Sequence, residues 1–186
     1  GQSGGTVVSC SSGKLISCLD GFTVRNGSSS TGGAGINCYG SGVTIANNII
    51  TANTATAGNG AGILANGLAT ITNNTFSSNT ATTGNGGGVA CANYSSMLIT
   101  NNTISSNTAV SGGGVYCGQY SYPTVSGNLI TGNSASSGSG GGMYCDKYSK
   151  ATATSNTFVA NTATNGGGLC GGLSNTRVLS LVVAGN

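Results

Sequence analysis

Two short patterns return in this chain about every 26 residues, and that return restricts the fold more than length or composition does. The first is a Gly run that ends in an apolar residue: Gly35-Ile36, Gly62-Ile63, Gly88-Val89, Gly114-Val115, Gly142-Met143 and Gly168-Leu169, with Gly spacings of 27, 26, 26, 28 and 26. The second places an apolar residue three before an Asn: Ile50 and Asn53, Phe76 and Asn79, Ile104 and Asn107, Ile130 and Asn133, Phe158 and Asn161, then Val183 and Asn186. In the first repeat the nearest match, Phe22 with Asn26, is one residue longer, which leaves its register open. A fixed period of this size marks a stack of units, none of which buries its apolar face without its neighbours.

Between the anchors the pattern has period 2, the period of strands. Ile36 and Cys38 share a parity, as do Val89 and Cys91, Val115 and Cys117, and Met143 and Cys145, and these point inward. The same logic sends Ile45, Ile71, Ile99 and Val125 into the core, then the row from Ile50 to Phe158 after a corner. A short face carries Ala55, Ala81, Ala109, Ala135 and Ala163 inward. The expected fold is all-β: a right-handed parallel β-helix of about seven coils with three strands per coil, Gly and Asn taking the corners. One solenoid domain spans 1–186, with an irregular first coil over 1–32 and regular repeats over 33–186. Asn48, Asn74, Asn102, Asn128 and Asn156 recur at one corner, and Asn53, Asn79, Asn107, Asn133 and Asn161 at the next. Stacked one coil apart, buried amides donate and accept along the axis, and each group so satisfied avoids roughly 1–3 kcal/mol.

Composition narrows the function. The charged residues are Asp20, Asp146, Lys14, Arg25, Lys147, Lys150 and Arg177, and His and Glu are absent. A net charge of +3 on five scattered cations forms no phosphate-binding stripe, so nucleic acid is a poor partner. No stretch of 18 or more apolar residues spans a bilayer, and the opening residues read as a mature or trimmed product. Gly accounts for 35 residues, which suits a flexible low-complexity chain as well, but the periodicity argues for order.

The motifs Gly87-Gly88-Val89, Gly113-Gly114-Val115, Gly141-Gly142-Met143 and Gly167-Gly168-Leu169, with Phe76-Ser77-Ser78-Asn79 and Phe158-Val159-Ala160-Asn161, cover roughly 33–186. In this pairing the chain resembles the repeats of chlamydial polymorphic membrane proteins and related bacterial right-handed β-helix surface proteins. The resemblance implies an extracellular setting, secreted or at the cell surface, and an adhesin-like role. No autotransporter barrel is visible to support that mode of display.

Catalysis on glycans is disfavoured by the residues present. Glycoside hydrolysis needs two carboxylates flanking one bond, and Asp20 and Asp146 fall in the first and sixth coils, on the order of 20 Å apart. A calcium-dependent lyase needs several carboxylate oxygens. The cluster Asp146-Lys147-Tyr148-Ser149-Lys150 offers a Lys or Tyr base, but reads more simply as a solvated loop. No catalytic residue, metal ligand set or cofactor is expected.

Three functions from different classes remain. One is a subunit that assembles head to tail, the ends carrying Val7, Val8, Leu15 and Ile16 at one rim and Leu179, Leu181, Val182 and Val183 at the other. A fragment of a longer solenoid explains the same open ends. The second is an adhesive or glycan-binding surface: Tyr94, Tyr120 and Tyr148 each lie three residues after a ladder Cys, and Tyr116 and Tyr144 face outward one residue before it. The third is ice binding by Thr54-Ala55-Thr56, Thr80-Ala81-Thr82 and Thr162-Ala163-Thr164, an array like those of β-solenoid antifreeze proteins, interrupted at Val110 and at Ser134 and Ser136. Four N-x-[ST] sequons, at Asn26, Asn73, Asn93 and Asn101, mark candidate glycosylation, Asn93 first because it lies in a variable loop.

Cys10, Cys38, Cys91, Cys117, Cys145 and Cys170 form one column in this reading, broken at Ala65. A coil spacing of ~4.8 Å suits a disulfide and two coils do not. Pairing is thus confined to Cys91 with Cys117, Cys145 with Cys170, and Cys10 with Cys38 or Cys18. The alternative is a row of reduced cysteines acting as small apolar side chains. Mass mapping without reduction is expected to find links between adjacent coils only, and a Cys38 to Cys91 bridge would show the coil register to be wrong.

Overall fold

The computed structural model describes residues 4–11, 18–40 and 42–186. Its strands form three seven-stranded parallel sheets and a fourth of five strands. The first sheet runs from Val8–Ser11 to Leu169–Gly171, the second from Cys18–Asp20 to Arg177–Leu179, and the third from Thr23–Arg25 to Val182–Ala184. The fourth consists of two-residue strands from Ser28–Ser29 to Ser134–Ala135. The first five coils therefore carry four strands, and the last two the three that the sequence suggests. The inward Ala row is short enough to look like a corner, yet Thr80 and Ala81 pair with Thr54 and Ala55 as a true ladder. Every crossover joins parallel strands, the arrangement in which right-handed connection is the rule.

The core is the set of columns that parity selects. Ile36, Ile63, Val89, Val115 and Met143 line the first sheet, Ile45, Ile71, Ile99 and Val125 the second, and Ile50, Phe76, Ile104, Ile130 and Phe158 the third, all buried. A separate small cluster of Ala34, Ala55, Ala61, Ala81 and Ala109 fills the narrow side under the fourth sheet. Large side chains there would push the short strands apart.

Both amide columns form continuous ladders. Asn79 Nδ2 donates to Asn107 Oδ1 at 2.9 Å, Asn107 Nδ2 to Asn133 Oδ1 at 3.0 Å, and Asn133 Nδ2 to Asn161 Oδ1 at 3.0 Å. Each Oδ1 also accepts the backbone N–H of the Asn one coil below, as Asn107 Oδ1 does from Asn79 at 3.0 Å. The outer column repeats this from Asn48 through Asn74, Asn102 and Asn128 to Asn156. The Gly anchor explains itself beside this ladder. A Cβ on Gly114 would lie 2.5 Å from the Gly142 carbonyl oxygen and 3.1 Å from Asn133 Nδ2. Only a bare backbone lets the coils close at that edge.

Two sequence expectations are corrected by register. The first coil is in phase, but through Val24, which pairs with Ile50, and not through Phe22. Phe22 and Gly27 occupy the two ladder places and donate backbone N–H groups to Asn48 and Asn53, both at 2.9 Å. Strands Val8–Ser11, Cys18–Asp20, Thr23–Arg25 and Ser28–Ser29 all pair with the second coil, so the coil called irregular carries a strand in each sheet. Cys170 does not join the cysteine column. It pairs with Tyr144, while Gly171 faces Cys145. The other rungs stand as read: Cys10 with Cys38, Cys38 with Ala65, Ala65 with Cys91, and Cys91 with Cys117 with Cys145. Leu15 and Ile16 lie outside the described residues.

Replacing Asn107 by Ala removes the acceptor of the Asn79 N–H and Nδ2 and the donor to the Phe76 carbonyl. With buried groups orphaned at roughly 1–3 kcal/mol each, Asn107→Ala is expected to lose at least about 3 kcal/mol in urea unfolding. Asn101→Gly, at an exposed corner with φ of 55°, is expected to stay near neutral. Equal midpoints for the two variants would mean that the ladder contributes little.

Candidate functional site

The connection from the first sheet to the second contains a β-turn that repeats in three successive coils: Ala92-Asn93-Tyr94-Ser95, Gly118-Gln119-Tyr120-Ser121 and Asp146-Lys147-Tyr148-Ser149. In each, the Ser N–H returns to the carbonyl of the first residue, at 3.4, 3.2 and 3.1 Å. The third residue of each turn has positive φ: 61° at Tyr94, 55° at Tyr120 and 60° at Tyr148. Turns of this shape usually give that position to Gly or Asn, and a bulky aromatic there costs about 1–2 kcal/mol. The same conformation recurs at other corners of the coil, at Ala52, Ser78 and Ser106 among others, so what is particular to these three turns is the bulk of the side chain held there.

The strain sets three rings in a stack. The Tyr94 and Tyr120 centroids are 5.1 Å apart with planes 5° apart, and Tyr120 and Tyr148 are 5.0 Å apart at 18°. Offset aromatic pairs return about 0.5–1.5 kcal/mol each. Backbone ladder bonds hold the turns coil to coil, as from Tyr94 N–H to the Gln119 carbonyl at 3.0 Å. Asn93 Oδ1 caps the next turn by accepting the Gln119 N–H at 2.9 Å. The stack remains open to solvent, with Tyr94 74%, Tyr120 37% and Tyr148 52% exposed.

The Ser of each turn points the other way. Ser95, Ser121 and Ser149 are buried, with Ser121 and Ser149 hydroxyls 3.4 Å apart and Ser95 Oγ 3.0 Å from Cys91 Sγ. Beyond them the chain turns outward again, so Ser96, Tyr122 and Lys150 form a second rank beside Tyr94, Tyr120 and Tyr148. Lys150 Nζ lies 5.5 Å from the Tyr122 ring centre. Tyr122 also walls a shallow groove of about 340 Å³ with Leu68, Thr70, Ser96, Leu98 and Thr124. Tyr122 belongs to no repeated sequence pattern, although it shares the parity of Tyr120.

Tyr116 is corrected from surface residue to support. It is 5% exposed, stacks on Tyr144 at 6.2 Å, and donates its hydroxyl to Asp146 Oδ2 at 2.7 Å. Burial first, then that hydrogen bond, raises its phenol above the ordinary tyrosine range. Asp146 Oδ1 accepts the Lys147 N–H at 2.7 Å, so one carboxylate holds the turn that presents Tyr148. The other described carboxylate, Asp20, accepts from Asn47 Nδ2 at 2.8 Å. These two acids stand on different coils, Asp20 at the end of a second-sheet strand and Asp146 in the turn after Met143–Cys145, and each is engaged in structure.

Among the thiols, burial pushes Cys91 up to about 11, and burial with the neighbouring Cys10 pushes Cys38 up to about 12. Cys117 is raised well above the ordinary thiol value by its hydrogen bond with Cys145 and by burial, and the same bond lowers Cys145. As thiols, Cys38, Cys91 and Cys117 pack in the core as small apolar side chains. All four sequon asparagines are exposed, Asn26, Asn73 and Asn101 at positive φ. The Ser95 hydroxyl of the Asn93 sequon is turned into the core.

The model of the right-handed β-helix region matches residues 5–180. The chain belongs to this family. No curated protein and no solved structure matches it. Within a right-handed β-helix, coil-to-coil register is fixed by backbone pairing, so the three turns of this member carry their side chains as a column and not as a loose loop.

Removing one ring from that column tests the geometry. Tyr120→Gly relieves the positive-φ strain and loses two stacking contacts, terms of similar size and opposite sign. Its thermal midpoint is expected within about 3 °C of the parent, whereas Tyr116→Phe, which takes the donor from Asp146 Oδ2, is expected to lower it further. A large drop for Tyr120→Gly would show that the stack is a structural brace.

Proposed function

We propose that this right-handed β-helix is a non-catalytic extracellular module that binds glycans through the column of Tyr94, Tyr120 and Tyr148. The observation that carries the reading is the exposure of three bulky aromatics held at positive φ and stacked within about 5 Å of one another. Rigid, amphipathic rings give contact area at low entropic cost, and a column of phenol hydroxyls offers donors and acceptors to the hydroxyls of a sugar chain. The resemblance of the Gly-Gly-x-aliphatic and Phe-x-x-Asn repeats to chlamydial polymorphic membrane proteins supports surface display. The engagement of Asp20 and Asp146 in structural hydrogen bonds supports a binding role over hydrolysis.

A second reading is association of copies end to end, a contact that would cover Val178, Leu179, Val182 and Val183 of the seventh coil, which are exposed in this chain. Val7 is exposed at the opposite rim, Val8 packs against the core, and Leu181 is half-buried. The Val182 N–H donates to the Asn156 carbonyl of the sixth coil at 3.1 Å, so the proline that removes an outward-facing donor belongs at Val183, the next residue of the strand. If light scattering finds parent and Val183→Pro alike monomeric at high concentration, this reading fails.

Affinity electrophoresis through gels containing soluble polysaccharides tests the glycan reading. The parent is expected to be retarded by at least one of pectin, alginate or a neutral β-glucan without releasing product. The triple variant Tyr94→Gly, Tyr120→Gly, Tyr148→Gly is expected to migrate freely. Turnover abolished by Lys147→Ala or Tyr148→Phe would overturn the non-catalytic assignment.

A further inference from the structure

Behind the tyrosine turns the first sheet carries a row of sulfurs that the surface does not use. Cys91, Cys117 and Cys145 are buried on the fourth, fifth and sixth coils, and Cys117 is the register partner of both others. We infer that this column is an oxidation site that closes one disulfide, Cys117 to Cys145, while Ser95 holds Cys91 back as a thiol. The coil spacing of ~4.8 Å falls within the Cα separation that a disulfide accepts, and twice that spacing does not. Of the three sulfurs only Cys117 can therefore reach either neighbour, and whichever it takes leaves the third alone. The inference stands apart from whatever the tyrosine column binds.

What separates Cys91 from Cys145 as partner is the contact each already makes. Ser95 donates its hydroxyl to the Ala92 carbonyl, so its oxygen is left to accept. Cys91 Sγ lies 3.0 Å from that oxygen and gives it the S–H. Drawing Cys91 onto Cys117 would break this bond and leave the buried Ser95 oxygen without its donor. One coil on, Ser121 turns its hydroxyl to the Gly118 carbonyl at 2.6 Å, and Cys117 takes Cys145 as its hydrogen-bond partner. That bond lowers the Cys145 thiol, while burial holds Cys91 up at about 11, so Cys145 is the first of the two to become a nucleophilic thiolate. With glutathione disulfide as oxidant, the Cys145 thiolate attacks one sulfur and releases a glutathione thiolate. The Cys117 sulfur then attacks Cys145 Sγ and expels the second glutathione. Two protein thiols become one bridge, one glutathione disulfide becomes two thiols, and the two cysteine protons end on glutathione. Because Cys117 directly precedes the Tyr120 turn and Cys145 the Tyr148 turn, the bridge ties the roots of those turns together. Cys10 and Cys38, also register partners and cut off from the column by Ala65, form a second pair with no third sulfur to compete. Cys18 faces Thr44 on the second sheet and Cys170 faces Tyr144, so both stay thiols.

Peptide mapping tests the choice of partner. The full chain, reduced and then folded in a glutathione redox buffer, is alkylated and cut with chymotrypsin without reduction. Tyr94, Tyr116, Tyr120, Tyr144 and Tyr148 place cleavage sites between the column cysteines, so each bridge is a distinct pair of peptides by mass. The parent is expected to yield Cys117–Cys145 roughly fivefold or more over Cys91–Cys117, the factor that one net hydrogen bond supplies. Cys10–Cys38 is expected beside it, with Cys18, Cys91 and Cys170 alkylated. Ser95→Ala is expected to move the column ratio about threefold or more toward Cys91–Cys117 and to leave Cys10–Cys38 as it is. Reduction of the folded parent is expected to lower its thermal midpoint by roughly 5–10 °C, as loss of cross-links between adjacent coils should. A parent with equal or greater Cys91–Cys117, a column with no bridge, a Cys145–Cys170 link, or a ratio that Ser95→Ala leaves unmoved would overturn the inference. Should Ser95→Ala not fold, two other variants decide. Cys91→Ala is expected to keep Cys117–Cys145, and Cys145→Ala to send the bridge to Cys91–Cys117; Cys117 left alkylated in either would overturn the shared-sulfur site.

Discussion

The two buried amide ladders are the interaction on which the rest of this solenoid depends. Sheet pairing satisfies the strands, but each corner leaves backbone groups turned into the core, where an orphan costs about 1–3 kcal/mol. The Asn columns answer this by giving every corner amide a partner on the coil above and a carbonyl on the coil below, as Asn133 does with Asn161 and Ile104. Because the bonds run along the axis, a slip of one residue in any coil would break both ladders together. At the first coil the columns end economically, with the backbone N–H groups of Phe22 and Gly27 as final donors. On the last coil Asn186 continues the inner column to Asn161.

Fixed register turns sequence phase into surface chemistry. A residue type repeated at one phase becomes a straight column, and its rings or hydroxyls meet at the coil spacing without further design. Ser77 and Thr51 hydroxyls bond in this way at 3.0 Å, and Thr154 and Ser126 likewise. The tyrosine column uses the same device at a higher local cost, since its backbone is held at positive φ. Isolated, one such turn would relax toward Gly or Asn chemistry. Three in register share ladder bonds and stacking, which is why the strain persists.

Parity was the strict guide in the sequence and spacing the loose one. Cys91, Cys117 and Cys145 each lie two residues after the anchor aliphatic, whereas Cys170 directly follows Leu169; near-equal spacing hid this, and the residue is on the outer side. Tyr116 shows the limit of parity itself. It does lie on the outward side of the first sheet, but Tyr144 and Asp146 from the next coil close over it, and no single coil's pattern records what a neighbouring coil covers. The first coil misled through Phe22 because an aromatic near an Asn imitates the anchor, while the true inward residue, Val24, is followed by Gly27 in place of Asn. The positive φ of the tyrosines has no compositional mark. Its trace is the repeated Tyr-Ser pair at 94, 120 and 148, each five residues before the inward side chain of the second sheet, Ile99, Val125 and Ala153.

The position of the tyrosines on the coil follows from where the ladders are not. Amide columns guard the corners between the second and third sheets and between the third and fourth. The turn from the first sheet to the second has none. It is held instead by the Ser95, Ser121 and Ser149 column, whose contacts are looser, with hydroxyls of Ser121 and Ser149 3.4 Å apart. That corner is also where the spacing from the Cys column to the ladder Asn varies between coils. Length and side-chain identity can change there without disturbing the ladders, because the register is already set on the far side of the core. Sequence variation therefore collects at this corner, and its charge can be altered at Lys147 or Lys150, both outside the strands, with little consequence for the fold.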